Sequence, residues 1–159
     1  MREDHKSKSW TEDYFDGFSP TGRRRAREAA LLMLYQLDFG GNEAQSAEQT
    51  LSFLGLNEDN AGFARQLVEN ACAHKAASDE LIAAHSREWD FERLFNIDVT
   101  ILRLALSDLK STTPSNIVIN EAIELAKKFG DEASPAFVNA VLDAVHQQQP
   151  GEEPHDTRF

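Results

Sequence analysis

From Pro20 to about residue 148, apolar residues recur three and four positions apart, and no stretch of strand length alternates apolar with polar side chains. That spacing puts apolar groups on one face of an α-helix and offers no half-buried sheet face to pack. The chain is therefore expected to be all-α. Ser19 followed by Pro20 suits a helix cap and first helical position, and Gly40–Gly41 suits the stop. Between them Ala26, Ala30, Met33, Leu34 and Leu37 form one stripe. In "SAEQTLSFLG", Ser46 and Gln49 have capping-box spacing and Gly55 ends the segment. Phe63, Leu67 and Ala71 mark a third helix to about Ala77, after which Ser78 can cap a fourth through "DELIAAHS".

The second half repeats the pattern. "FERLF" reads as a short helix, and "DVTILRLALSDLK" as a strongly amphipathic one with Ile101, Leu102, Ala105, Leu106 and Leu109 inward. "NIVINEAIELAKKFG" follows Pro114 and ends at Gly130, with Glu124 and Lys128 spaced as an ion pair. Ser134 and Pro135 open "SPAFVNAVLDAVHQ" as cap and first turn. About seven helices in two packed antiparallel bundles are predicted over residues 20–148. Residues 1–19 are polar with isolated aromatics and read as a flexible extension; the proline- and glycine-containing residues 149–159 read as a disordered tail.

At 159 residues the chain can bury a core without disulfides or metal. A single cysteine, Cys72, fits a reducing compartment, and it sits in an alanine-rich segment that looks like core. No apolar run reaches the roughly 20 residues of a membrane span, and the first residues lack the apolar centre of a signal peptide. The expectation is a cytoplasmic protein without a membrane role. His5, His74, His85, His146 and His155 are scattered, with no metal-ligand spacing. There is no Gly-x-Ser-x-Gly elbow and no phosphate-cradling glycine loop before Lys-Ser or Lys-Thr. Glu121 and Glu124 share a helix face, but Lys127 and Lys128 a turn later make surface electrostatics the simpler reading. No catalytic set, metal, cofactor or small-molecule substrate is expected.

One segment departs from this background. In "PTGRRRAREAALLMLY", Arg23, Arg24, Arg25 and Arg27 fall within five positions of a chain with net charge -11. Residues 22–28 carry four Arg and one Glu, or +3, which leaves -14 for the rest. The N-terminal end of a helix is already positive, so four arginines there cost stability. At about 100° per residue, Arg24, Arg27, Leu31 and Tyr35 lie in a strip beside the apolar stripe. Arginine forks bind phosphate bidentately and a tyrosine ring offers an unpaired base a stacking face. Single-stranded RNA satisfies this combination; a protein or membrane partner, or a plain solvated basic patch, remains open on charge alone. So acidic a chain repels nucleic acid at long range, so RNA binding has to be local and assisted by a second protein.

Four segments resemble one family. "RRRAREAALLMLYQ" (23–36), "ILRLALSDL" (101–109), "VINEAIELAKKFG" (118–130) and "SPAFVNAVLD" (134–143) are similar, in order and spacing, to NusB, the bacterial transcription antitermination factors. The resemblance implies a fold of two small antiparallel helical bundles and a non-enzymatic role. It implies pairing with NusE, a small-subunit ribosomal protein, binding of single-stranded boxA RNA, and action within the transcription elongation complex on ribosomal RNA operons. On this resemblance Arg23, Arg24, Arg25, Arg27 and Tyr35 face RNA. Phe137 is either a second aromatic at the RNA or a core side chain. Asp98 and Asp108 look like positions facing NusE, with helix capping the other reading of Asp98. Asn120, Glu121 and Asn139 look structural. Ala140, Ala133 and Ala136 stand where the family usually has glycine, an acidic residue and lysine, which implies a looser helix approach and a weaker RNA grip.

Two other roles stay in view: a helical protein–protein adaptor that does not bind RNA, and an accessory domain for ribosomal RNA modification. No strand–glycine-loop–helix unit for a methyl donor occurs in the sequence, which weighs against a methyltransferase. The arginines predict three or four phosphate contacts, and hence a log–log salt slope of about -2 to -3 for single-stranded RNA.

Overall fold

The computed structural model of the protein describes residues 22–38, 43–89 and 97–148. Among them are seven α-helices and no strand: α1 (Gly22–Asp38), α2 (Glu43–Leu54), α3 (Glu58–Ala73), α4 (Lys75–His85), α5 (Ile97–Asp108), α6 (Ser115–Phe129) and α7 (Ser134–Gln147). The expected extension and tail, the Ser19–Pro20 start, the Gly40–Gly41 stop and the short helix in "FERLF" lie outside the described residues. The chain divides into two compact units, one ending at Arg65 and the other beginning at Gln66.

In the first unit α1 packs against α2. Gly22 opens α1 at φ 74°, a left-handed conformation that favours glycine. Ala26, Ala29, Ala30, Leu31, Met33 and Leu34 are all buried, so α1 hides far more than one stripe. The α2 helix starts at Glu43, three residues before Ser46, so Ser46 lies inside it and is not its cap. Its other end is as expected. Gly55 takes φ 64°, its N–H donates to Ser52 O at 3.1 Å, and Leu56 N–H donates to Leu51 O at 3.5 Å. This paired closure satisfies carbonyls that a helix end otherwise leaves orphaned. Thr50 Oγ1 donates to Gln36 Oε1 at 3.1 Å, a polar tie between α2 and α1. At the start of α3, Asn57 Oδ1 accepts the N–H of Asn60 at 2.8 Å, and Glu58 and Asp59 fill the first turn. Both features suit the positive end of a helix dipole.

In the second unit α5 packs against α4, α6 and α7 and is the buried centre. Ile101, Leu102, Leu104, Ala105 and Leu106 are buried, and so are Thr100 and Ser107. A helix covered on nearly every side belongs to the middle of a bundle. Leu109, expected inward, is half-buried just past the helix end. Arg103 clamps α5 to α4 with a two-pronged fork, Nε to Asp79 Oδ1 at 2.7 Å and Nη2 to Asp79 Oδ2 at 3.1 Å. Residues 109–114 and 130–133 connect α5 to α6 and α6 to α7, short links of the kind that fold packed helices back on one another.

The break between α3 and α4 falls at His74, not Ser78. His74 has φ -100° and ψ 10°, and its Nδ1 lies 3.0 Å from Ser107 Oγ on α5. Ser78 is buried inside α4 rather than capping it. Cys72, expected in the core, is exposed; its neighbour Ala71 is the one turned inward.

Helix α6 runs from Ser115 to Phe129 as the flanking Pro114 and Gly130 suggested, and Glu124 takes Lys127 Nζ at 3.4 Å. The cap of α7 lies a turn earlier than Ser134. Asp131 Oδ1 accepts the N–H groups of Ala133 and Ser134, at 3.0 and 3.1 Å. Ser134 Oγ reciprocally accepts Asp131 N–H at 2.9 Å. This is a capping box with aspartate in front and serine at its third position.

Candidate nucleic-acid interface

Glycine at the left-handed Gly22 turns the chain into α1, and the next residues are the arginines. Because α1 is buried on most sides from Ala26 to Leu34, its first turn and its last residues are the parts that reach solvent.

The four arginines have different surroundings. Arg23 Nη1 lies 3.2 Å from Asp59 Oδ2 and donates to Asn60 Oδ1 at 2.8 Å. The same nitrogen approaches Asp59 O at 3.4 Å. The Arg23 guanidinium also sits 4.2 Å above the centre of the Phe63 ring, within range for a cation–π attraction. Arg27 approaches the same ring at 5.1 Å and is only 8% exposed. Arg25 Nε donates to Leu54 O at 2.9 Å, satisfying a last-turn carbonyl of α2. Arg24 is exposed. Tyr35, two to three turns along, is half-buried.

The four arginines expected to face RNA thus differ in what surrounds them. Arg25 is a helix cap and Arg27 is packed over an aromatic ring, so both guanidinium groups are committed to the fold. Arg23 and Arg24 are the two that reach solvent. Asp59, unremarked in the sequence, and Phe63, which reads there only as part of a helical stripe, bind the cluster internally. Phe63 to Leu67 and Ala71 is helical core spacing, and that apolar reading hides the ring's second use as a platform for cations.

The remaining candidates lie in the second unit, and most are buried. Phe137 is 0% exposed, with its ring edge-on to Trp89 at a centroid distance of 5.1 Å. It is a core side chain in this structure and has no face left for an RNA base. Asp98 is also 0% exposed and lies in the first turn of α5, where the helix dipole favours a carboxylate. Asp108 is 7% exposed, and its Oδ1 accepts the Ser111 hydroxyl at 2.9 Å. Both aspartates, expected to face a partner with capping the other reading of Asp98, are buried within the chain itself.

Asn120 and Asn139, expected to hold helices together, are exposed, and Glu121 is half-buried. Asn120 lines an open groove of about 510 Å³ with Pro114, Ser115, Asn116, Ile119 and His146. Ala136 and Ala140 are exposed, so the methyl group of Ala140 props no helices apart. No three His, Cys, Asp or Glu side chains gather as a metal site among the described residues. No helix among them is long and apolar enough to cross a membrane.

Fold and site together define an all-helical protein that gathers arginine at one helix start, where Arg25 and Arg27 make internal contacts and Arg23 and Arg24 are exposed. The chain belongs to the NusB family, whose model matches residues 24–147. The transcription antitermination protein NusB of Geobacter sulfurreducens is 41% identical over 136 residues, 80% of this chain and 96% of that protein. Its counterpart in Anaeromyxobacter dehalogenans strain 2CP-1 is 44% identical over 126 residues, 77% of this chain and 89% of that protein. Among solved structures, NusB of T. maritima superimposes with a TM-score of 0.69 at 30% identity, covering 86% of this chain and 98% of that one. A crystal structure of the antitermination factors NusB and NusE in complex with double-stranded RNA matches with a TM-score of 0.69 at 31% identity, covering 79% of this chain and 96% of that one.

Proposed function

We propose that this protein is a transcription antitermination factor that, together with NusE, binds boxA RNA and supports processive transcription of ribosomal RNA operons. The observation that carries the reading is the family match over residues 24–147 combined with an arginine-led helix start whose first two arginines reach solvent. Arg24 and Arg23 contact RNA phosphates, and Tyr35 lies further along the same helix. Arg25 and Arg27 hold α1 in place beneath them. The role is regulatory, exercised in the bacterial cytoplasm where nascent RNA emerges. NusE supplies cationic surface that a chain of net charge -11 lacks.

Fluorescence anisotropy of a labelled boxA RNA, with and without NusE across a salt series, tests this. Binding is expected to be weak and salt-sensitive alone and to tighten with NusE. Two exposed arginines give this chain a log–log salt slope of about -1.4, shallower than four would. Arg24→Ala is expected to weaken RNA binding about tenfold and flatten the slope by about 0.7, with NusE binding retained. An unchanged RNA affinity in Arg24→Ala overturns the assignment. One observation favours a second reading: Arg25 and Arg27 have internal work, which an adaptor without RNA contact would also need. NusE binding with no RNA binding in any condition selects that reading.

A further inference from the structure

Resting on the RNA-binding reading above, we propose that the first turn of α3 is a built-in competitor for Arg23: Asp59, Asn60 and Phe63 occupy its guanidinium, and RNA must displace Asp59 to use it.

The chemistry of the three contacts carries the inference. Asp59 offers a carboxylate 3.2 Å from Arg23 Nη1, Asn60 an amide carbonyl at 2.8 Å, and Phe63 a ring face at 4.2 Å. Single-stranded RNA offers an arginine the same set: an anionic phosphate, carbonyl acceptors on base edges, and a base face. Sequence and local structure explain why the set is there. Asn57 caps α3, which fixes Asp59 and Asn60 in the first turn, and the helical repeat brings Phe63 round one turn later.

The energetics fit an exchangeable contact rather than a structural one. The two side chains are 46% and 79% exposed, and ion pairs so wetted contribute little to folding. Asp59 can therefore yield to a phosphate at small cost. The ring beneath stays in place and keeps Arg23 oriented during the exchange. The effect of Asp59 on RNA is larger than its effect on stability. Once Arg23 turns to phosphate, the carboxylate is left unpaired beside the polyanion.

The same RNA and NusE titrations test this with Asp59→Asn, Asn60→Ala, Arg23→Gln and the Arg23→Gln/Asp59→Asn double variant. Asp143→Asn, an exposed position on α7, serves as a charge-matched control. Circular dichroism verifies that each variant is folded. Asp59→Asn is expected to tighten RNA binding about three- to fivefold at low salt. Asn60→Ala is expected to act in the same direction by less. In the Arg23→Gln background the gain from Asp59→Asn should disappear, because the two act through one contact. An equal gain from Asp143→Asn, or a gain that survives in the Arg23→Gln background, overturns the inference in favour of general charge removal. RNA binding by the unaltered protein with no change in Asp59→Asn overturns this inference alone. Absence of RNA binding by every variant overturns the proposed function and this inference with it.

Discussion

Helices α1 and α7 begin in opposite ways. The start of α7 is closed on itself: Asp131 accepts two backbone N–H groups, Ser134 returns a third bond, and Phe137 one turn on is in the core. The start of α1 has no acidic residue in its first turn and places arginine where the dipole is already positive. Its guanidinium groups are satisfied by a helix-end carbonyl, a ring and a carboxylate reached from elsewhere in the chain. One start is optimised locally and stabilises the fold. The other is locally unfavourable and is held by long-range contacts, which is where a binding role can be accommodated.

The sharpest way to break this contrast is Phe137→Ala. A fully buried phenylalanine reduced to alanine costs about 3–5 kcal/mol, which lowers the thermal midpoint by about 10 °C in a chain this size. RNA affinity measured below that midpoint should be unchanged. Lost RNA affinity at normal stability would instead place Phe137 at the RNA and make the two helix starts functionally alike.

Gly130→Ala comes next. The φ of Gly130 is -97°, which any residue can adopt, so the requirement is space rather than conformation. A Cβ there would run into the Ser134 side chain and come within 2.9 Å of the carbonyl oxygen of Ala126. Overpacking of this kind costs about 1–3 kcal/mol, readable as a drop in the urea midpoint. Ser134→Ala, which removes the two hydrogen bonds its hydroxyl makes with Asp131, should cost about 1 kcal/mol. The double variant should lose less than the sum, because removing the Ser134 hydroxyl relieves part of the Gly130 clash. Strict additivity would show that cap and glycine are independent.

Much of the architecture was legible in the sequence. The stripes through Ala26, Ala30 and Met33 and through Ile101, Leu102, Ala105 and Leu106 were assigned inward, and they are. Pro114, Gly130 and Gly55 marked true helix ends, because the chemistry that stops a helix there is local. The errors came where distant partners decide. Ser78 looks like a cap, but the chain breaks at His74, whose imidazole meets Ser107 from another helix. Asp98 and Asp108 read as charges facing a partner, and both are buried on a helix covered on nearly every side. The arginine cluster was visible as composition, and its division into cap, ring-packed and exposed members was not. That division depends on Leu54, Asp59 and Phe63, at least 27 positions away.

The smallest expected effect separates two arginine forks within the first unit. Arg65 directs both prongs at one carboxylate, with Nε and Nη2 each 3.1 Å from a Glu48 oxygen. Arg23 divides its contacts among Asp59, Asn60 and a ring. The hydrogen bond from Arg65 is the main cause that holds the Glu48 carboxyl below its ordinary value of 4.5; desolvation opposes it and the Arg65 charge adds to it. A depressed carboxyl favours the folded state above its unfolded pKa, and that contribution is lost as pH falls through the folded value. Both groups are at the surface, so solvent screens the contribution and global stability should barely register it. The titration itself should register it: an NMR midpoint for the Glu48 side-chain carbon below 4.5, rising toward 4.5 in Arg65→Gln. Binding of boxA RNA should leave that midpoint in place, because the Arg65 fork is closed on its carboxylate and is not recruited. A Glu48 midpoint that moves on RNA binding would mean that Arg65 opens as well, and that the competitor contact at Arg23 is one of two.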